Sequence, residues 1–232
     1  MGEHAGRVAV ITGGAGAIGG AIAAELAARG HTVAVLDQAG DPPVDLSVAD
    51  QVHAAAAAVL RAHGRCDVLV HAAAAFDKAD LAAVDLAGWR RVQAVNVEAA
   101  LLLAQAFAPG MAARGFGRII FVASDTVWSP PAGDMLAYIT SKGALIALAR
   151  TLAVGLGGDE IAVTCVAPGL TDTPAARVGQ PAALFEDVVS RQALPRPLAP
   201  GDVAATVAFL ASDAAAALTG QTLCVDGGLI PR

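Results

Sequence analysis

Cysteine, lysine and aromatic residues are scarce in this chain of 232 residues. Its three cysteines are scattered through apolar stretches, which predicts reduced thiols, favours a cytoplasmic location and excludes a small disulfide-built fold. No apolar run approaches the roughly 18 residues of a membrane span, and no basic-then-apolar targeting segment opens the sequence. The five histidines show no metal-ligand spacing, so we expect no metal site. A net charge of −6 at pH 7 argues against nucleic acid as a partner.

Apolar residues, many of them alanine, make up 56% of the chain. This length suits a single domain over residues 1–232 with a large core. Short apolar runs alternate with helix-like stretches, which predicts an α/β fold with buried parallel strands. The predicted strands are 7–12, 32–37, 67–71, 118–123, 161–166 and 222–225. The predicted helices are 21–29, 47–63 with Ser47 as its N-cap, 86–114, 138–156 and 200–211.

A glycine-rich turn separates the first predicted strand from the first predicted helix. Gly14, Gly16 and Gly19 have the spacing that lets backbone N–H groups and a helix N-terminus approach a pyrophosphate. The pattern alone is weak evidence in a chain with 25 glycines, but a strand precedes it and an acidic residue follows it. The sequence therefore predicts a dinucleotide site at this turn.

That acidic residue is Asp37, which closes the second predicted strand. A carboxylate there accepts hydrogen bonds from the adenosine ribose and repels a 2′-phosphate, so NAD is favoured over NADP. The alternative is a solvated aspartate at a strand end. Residues 38–44 then contain a glycine and two prolines, which predicts a loop rather than a helix.

Tyr138 and Lys142 share one face of an apolar helix, one turn apart. An ammonium beside a phenol lowers the pKa of the phenol from about 10 towards neutral, as a general acid–base requires. Chance surface neighbours would show the same spacing, but lysine is rare in this chain. Asn96 is a polar residue in an apolar helix and must find partners or water. Ser124 ends a strand at the edge where open α/β sheets bind ligands.

Over residues 7 to about 228, the order of these motifs resembles the short-chain dehydrogenase/reductase family. The matching features are the glycine turn, Asp37, Asn96, Ser124, the Tyr138/Lys142 pair, Pro168-Gly169 and the ending Val225–Gly228. The resemblance implies a Rossmann-type, doubly wound sheet of about seven parallel strands with helices on both faces. It also implies a homotetramer in which the Asn96 and Tyr138 helices pack against a partner, although their Ala/Leu faces would equally suit the core.

The resemblance further implies individual roles. Tyr138 would be the acid–base, Lys142 would hold the nicotinamide ribose and lower the pKa of Tyr138, and Ser124 would hydrogen-bond the reacting oxygen. Asn96 would anchor a water chain through which Lys142 reaches solvent. The implied contacts to NAD come from Gly13, Ala15, Gly16, Ala17, Ile18, Gly19, Asp37, Asp45, Leu46, Ala72, Ala73, Tyr138, Lys142, Pro168, Gly169, Thr171 and Thr173.

Three departures from the family pattern are visible. Ala17 stands where the glycine turn has a further glycine, and residues 71–74 (His-Ala-Ala-Ala) replace Asn-Asn-Ala-Gly. His71 is therefore expected to be a strand-end substitution rather than a catalyst. The helix usually found between Asp37 and Asp45 is missing.

Two groups within the family are similar to different stretches of the chain. The short connection after Asp37 and the dipeptide Ser124-Asp125 look like 2,3-dihydro-2,3-dihydroxybenzoate dehydrogenases. Residues 115–120, Trp128 and the stretch from Gly220 onward look more like 1-phenylethanol dehydrogenases. Both groups act on ring-bearing secondary alcohols. The expected reaction is NAD-dependent interconversion of a secondary alcohol and its ketone. The alternatives are a cyclic dihydrodiol dehydrogenase, a 3-oxoacyl-carrier-protein reductase and a non-catalytic NAD-binding sensor. The reductase would be expected to use NADP and to carry a basic docking face.

Substrate specificity is expected in residues 125–136 and in the segment 174–200, which would cover the carboxyl ends of the strands. These stretches supply Val127, Trp128, Met135, Leu136, Leu184, Phe185 and Val188. A helix face closing the core explains Leu184, Phe185 and Val188 equally well. Arg177 and Arg191 could bind a substrate carboxylate, although solvated side chains are the more common outcome.

Overall fold

The computed structural model describes residues 6–179 and 181–230 and contains one six-stranded parallel sheet in the order β2-β1-β3-β4-β5-β6. The strands are β1 (Val8–Thr12), β2 (Thr32–Leu36), β3 (Val68–His71), β4 (Gly117–Val122), β5 (Ile161–Pro168) and β6 (Thr222–Val225). The helices are α1 (Ala17–Ala28), α2 (Ala49–His63), α3 (Leu86–Gln93), α4 (Ala99–Arg114), α5 (Leu136–Leu156), α6 (Pro174–Gly179), α7 (Ala182–Arg191) and α8 (Pro200–Leu210). A π-helical turn, Ala94–Glu98, joins α3 to α4.

Helices cover both faces of the sheet, so the central strands β1, β3, β4 and β5 are buried along their whole length. One cross-strand row, Val10–Leu69–Ile119–Val163, packs against α2, α4 and α5. The next residue of each strand points to the opposite face, where Ile11, Val70 and Ile120 meet α1 and α8. The predicted α/β class, with parallel strands and helices on both faces, is confirmed.

The sheet has six strands among the described residues, whereas the family resemblance implies about seven. The short connection after β2 explains the difference. Residues 38–48 turn back through bonds from Gly40 N and Val44 N to Asp37 O and form neither helix nor strand. Pro42 and Pro43 have no N–H to donate to a neighbouring strand. β2 therefore remains the edge of the sheet.

The start of α2 also differs from the prediction. The helix begins at Ala49 and its N-cap residue is Val48, which makes no side-chain cap. Ser47 instead donates from both its backbone N and its Oγ to Asp45 Oδ1, at 2.9 and 2.7 Å. The aspartate two residues earlier competes for the serine, so Ser47 belongs to the preceding turn.

Two helical stretches, Leu86–Arg114 and Leu136–Asp159, are long and apolar enough by length and composition to cross a membrane. This is weak evidence, because helices that pack against a sheet in globular proteins pass the same test. Here α4 packs against α2 and α5 packs against β5. The second stretch carries Tyr138 and Lys142 to the carboxyl end of the sheet.

Candidate active site

A crevice of about 700 Å³ opens beyond the carboxyl ends of β1, β2 and β3. Many of the predicted cofactor contacts line it. They are Gly13, Ala15, Gly16, Ala17, Ile18, Gly19, Asp37, Leu46, Ala72, Ala73 and Thr173. Open α/β sheets bind ligands at this edge, beyond strand ends.

The glycine turn is shaped by close backbone approaches. Gly13 has φ +72°, and a Cβ on it would lie 2.7 Å from the backbone of Ala73. A Cβ on Gly19 would lie 2.1 Å from Gly13 O. Side chains at these two positions would therefore displace the backbone itself. Ala17, the first residue of α1, is exposed and lines the crevice, so its methyl group has room.

Asp37 is not a solvated strand-end residue. Its Oδ2 accepts a hydrogen bond from Ala15 N at 3.0 Å, and its Oδ1 accepts one from Ala39 N at 2.9 Å. The carboxylate thus ties the glycine turn to the end of β2 and lines the crevice. The nearby carboxylate of Asp45 is occupied within its own turn, since its hydrogen bonds to Ser47 lower its pKa. Leu46 lines the crevice beside it.

His71 bridges three parts of the fold. Its Nδ1 lies 3.0 Å from Thr12 Oγ1, its Nε2 lies 3.1 Å from Val95 O, and Thr12 Oγ1 accepts from Ala73 N. Burial, reinforced by the charge of Lys142, lowers the pKa of His71 to about 3. The neutral ring therefore donates from Nε2 to Val95 and accepts at Nδ1 from Thr12. This arrangement makes His71 a structural link.

Asn96 lies in the π-helical turn and is fully buried. Its Oδ1 accepts from Ala75 N at 2.7 Å, and its Nδ2 donates to Ala75 O at 3.0 Å and to Ser141 Oγ at 2.9 Å. Ser141 in turn donates to Tyr138 O at 2.6 Å. Both amide protons are used within the protein, so the side chain fixes the loop after β3 against α5. Any water held by Asn96 would have to bind an oxygen.

Lys142 is 1% exposed, and its Nζ donates to Val122 O at 2.7 Å. Its Nζ lies 5.5 Å from the centre of the Tyr138 ring. Burial lowers the pKa of Lys142 to about 8. Burial raises the pKa of Tyr138, and its hydrogen bond to Ser124 only partly offsets that effect. In the free protein desolvation of the phenolate therefore prevails and the net pKa shift of Tyr138 is upward, while the role of Lys142 in lowering that pKa stays a prediction.

Ser124 follows β4 and begins a 3₁₀ turn, Asp125–Val127. Its Oγ accepts from Thr126 Oγ1 at 2.9 Å and from Thr126 N at 3.3 Å. Because Ser124 Oγ already accepts two hydrogen bonds, its hydroxyl proton can be donated towards Tyr138. Asp125 lies next to it, and burial together with the nearby Asp226 raises the pKa of Asp125 to about 6.

The remaining predicted cofactor contacts follow β5. Thr171 Oγ1 donates to Gly169 O at 3.0 Å, and Thr173 Oγ1 accepts from Ala176 N at 3.1 Å in the first turn of α6. Of this group, Thr173 lines the crevice, whereas Pro168, Gly169 and Thr171 do not.

The predicted substrate wall is only partly found in the structure. Phe185 is buried under the guanidinium of Arg177, 4.3 Å from its ring centre, and lines a separate cavity of about 240 Å³. Arg177 itself pairs with Asp172. The aromatic residue beside Tyr138 is Phe76, with ring centres 5.0 Å apart and planes at 68°. Sequence reasoning missed it; the available signal was a lone aromatic residue after the third strand.

Three comparisons agree with this architecture. The family model described as Enoyl-(Acyl carrier protein) reductase matches residues 13–230. A probable short-chain type dehydrogenase/reductase of Bradyrhizobium diazoefficiens is 35% identical, over 99% of this chain and 89% of that protein. The cis-4-hydroxycyclohexanecarboxylate dehydrogenase of Sinomonas cyclohexanicum is 38% identical over 98% of both chains.

Among solved structures, a blue fluorescent protein from a metagenomic library, in complex with NADPH, has a TM-score of 0.90 at 30% identity. The superposition covers 98% of this chain and 99% of that one. A glycine turn that excludes side chains, a crevice at the sheet edge and these relatives lead to one conclusion. The chain belongs to the short-chain dehydrogenase/reductase family, whose members use a nicotinamide cofactor.

Proposed function

We propose that this protein is an NAD-dependent oxidoreductase that interconverts a secondary alcohol and its ketone. One observation carries the proposal: Tyr138 and the buried Lys142 lie together at the carboxyl end of the sheet, where Lys142 Nζ is 5.5 Å from the centre of the phenol ring and donates to Val122 O beside Ser124. The crevice fits a dinucleotide, because Gly13 and Gly19 keep its floor free of side chains. When bound, the nicotinamide supplies the two-electron acceptor or donor that the protein itself lacks.

The chain's own residues handle the proton. In oxidation the Tyr138 oxygen takes the proton of the substrate hydroxyl, and in reduction it returns that proton to the ketone oxygen. Ser124 donates a hydrogen bond to the same substrate oxygen as its charge changes. Lys142 contributes positive charge, which opposes the effect of burial on Tyr138. Below pH of about 8 this lysine is protonated in the free protein.

The preference for NAD rests on Asp37. Its carboxylate lines the crevice at the end of β2, and a 2′-phosphate near it would meet a like charge. The residue after it is Gln38, which offers no cation. Arg91 also lines the crevice, but it lies on α3 beside Asp77.

For the substrate we propose a small ring-bearing or apolar secondary alcohol, covered by the segment 174–200. The name of the Sinomonas relative refers to a hydroxylated ring, which supports this class. A cyclic dihydrodiol is the alternative alcohol. The family model is named for reduction of acyl carrier protein substrates, so acyl thioesters are a second alternative. A non-catalytic NAD sensor is the third alternative, because residues His71 to Ala74 depart from the family pattern.

We also propose that the protein acts in the cytoplasm as a homotetramer. Apolar side chains on α4 and α5 remain partly uncovered, including Leu101, 36% exposed, and Val154, 88% exposed. A second copy could cover such faces. Sedimentation of the purified protein would measure the assembly.

A steady-state panel tests the proposed function. The protein is assayed with NAD or NADP against 1-phenylethanol, butan-2-ol, a cyclic dihydrodiol and, in reduction, an acetoacetyl thioester. We expect turnover of at least one simple secondary alcohol with NAD, and loss of nearly all of it in Tyr138→Phe with NAD affinity retained. Turnover confined to the thioester with NADPH would favour the carrier-protein reductase. Tight NAD binding without turnover of any substrate would favour the sensor.

A further inference from the structure

Phe76 is a large aromatic side chain left open beside the proposed acid–base. It is 44% exposed, and its ring centre lies 5.0 Å from that of Tyr138 in an edge-to-face arrangement. It belongs to none of the apolar clusters formed by the described residues. The core therefore does not require it. An aromatic ring that contacts the phenol on one side and is exposed to solvent on the other can bind a ligand with its exposed face.

The backbone on both sides of Phe76 is fixed. On one side, the buried amide of Asn96 forms two hydrogen bonds with Ala75, at 2.7 and 3.0 Å. On the other side, Ala79 N donates to Asp134 O at 2.8 Å, and Ala79 pairs with Met135 just before α5. The loop after β3 is thus held at both ends, and α5, which carries Tyr138, is one of its supports. The aromatic side chain of Phe76 therefore keeps a defined place relative to the phenol.

The contrast with Phe185 strengthens this point. Phe185 is 6% exposed and already lies against the Arg177 guanidinium, so its ring is covered within the protein. Phe76 gains cover only when something binds next to Tyr138. Removing an exposed aromatic surface from water is favourable, and two aromatic rings gain further from edge-to-face or offset contact.

We propose that Phe76 is a specificity-determining residue, the aromatic wall on which the ring of the substrate packs while its carbinol oxygen meets Tyr138 and Ser124. The proposal rests on the proposed function and deepens it, because it assigns the preference for ring-bearing alcohols to one side chain. It also assigns that preference to the loop after β3 rather than to the segment 174–200.

The test compares two alcohols that share the reacting centre and differ in the ring: 1-phenylethanol and butan-2-ol, each with NAD. Phe76→Ala is expected to lower kcat/KM for 1-phenylethanol about tenfold more than for butan-2-ol, which corresponds to about 1.4 kcal/mol. Phe76→Leu keeps bulk without the aromatic face, and we expect it to fall between the wild type and Phe76→Ala. The KM for NAD should not change in either variant.

Leu81→Ala is the matched control, since Leu81 is an apolar residue of the following turn and is 81% exposed. We expect it to leave the ratio of the two alcohols unchanged. Equal losses on both alcohols in Phe76→Ala and Phe76→Leu would overturn the assignment, because the ring would then only support Tyr138. A wild type that turns over neither alcohol would overturn the proposed function as well. The two failures are therefore distinguishable.

Discussion

The candidate site has two sides, a cofactor side and a substrate side, which are built from different parts of the chain. On the cofactor side, which we define as the residues that follow β1, β2 and β3 and line the crevice, the backbone approaches Gly13 and Gly19 so closely that side chains are excluded at these two positions. On the substrate side, which we define as Phe76 with residues 124–136 and 174–200, side chains rather than backbone groups would form the surface, and Phe76 is 44% exposed.

The difference follows from what each side has to recognise. A dinucleotide presents phosphates and ribose hydroxyls, and fixed backbone N–H groups bind those without regard to the rest of the reaction. A substrate is distinguished by its shape and by its reacting oxygen, which side chains can match individually. Substitutions on the two sides should therefore have separable effects on cofactor binding and on substrate choice.

The largest effect is expected from Gly19→Ala on the cofactor side. The added Cβ would lie 2.1 Å from Gly13 O, so the turn must move. We expect NAD affinity to fall about 100-fold, equivalent to about 2.7 kcal/mol, together with a stability loss of about 1–3 kcal/mol from overpacking. Fluorescence titration and chemical unfolding measure the two effects.

Gly155→Ala is the control for that substitution. No heavy atom lies within 4 Å of a Cβ at Gly155, which is part of α5. An alanine there should leave NAD affinity unchanged. Equal NAD affinity in Gly19→Ala and Gly155→Ala would contradict the view that backbone approach shapes the cofactor side.

Asp37→Ala sharpens the account of the cofactor side. Removal of the carboxylate eliminates the repulsion of a 2′-phosphate and frees Ala15 N. A lost hydrogen bond to a charged group should weaken NAD binding about 10- to 100-fold, while NADP gains relative to NAD. Asp37→Asn keeps an acceptor for Ala15 N without the charge and separates the two causes. An unchanged ratio of kcat/KM for the two cofactors would contradict the assignment.

Thr126→Val acts on the substrate side and should have a smaller effect. Its hydroxyl donates to Ser124 Oγ at 2.9 Å, and valine removes that bond while keeping the shape. We expect kcat to fall about fivefold, in line with the net value of one neutral hydrogen bond. Thr126→Ser should restore it, and the KM for NAD should not move. Failure of serine to restore kcat would mean that Thr126 contributes by packing alone.

His71→Asn changes a buried residue that links β1, β3 and the π-helical turn, and it should have the smallest effect on activity. Burial lowers the pKa of His71 to about 3, so the unfolded chain binds more protons than the folded one as the pH falls below about 6.5. The wild type should therefore lose about 2 kcal/mol more unfolding free energy than the variant between pH 7 and pH 5. Urea unfolding at both values measures this difference. Parallel pH dependences would show that His71 is not held neutral.

The sequence predicted the strands well because buried parallel strands are near-continuous apolar runs, such as Val8–Ile11 in β1 and Ile119–Val122 in β4. It also predicted the loop after Asp37, since glycine and two prolines exclude a helix locally. The number of strands taken from the family resemblance was less accurate, because that number depends on the same short connection.

The remaining features depend on tertiary contacts. The π-helical turn at Asn96 exists where its amide reaches Ala75 and Ser141, which are distant in sequence. The position of Phe76 beside Tyr138 likewise depends on how the loop after β3 meets α5. The direction of the pKa shift of Tyr138 follows from burial, which a spacing of four residues does not report.

Tyr138 is the proposed proton-transferring group, and one titration tests that role most directly. Tyr138 is the only tyrosine of the chain, so the near-ultraviolet absorbance of the phenolate reports on this residue alone. We predict a pKa above the ordinary value of about 10 in the free protein, because burial raises it. Saturating NAD, whose nicotinamide ring is positive, should lower that pKa markedly. A pKa of Tyr138 that is the same with and without NAD would contradict the central claim.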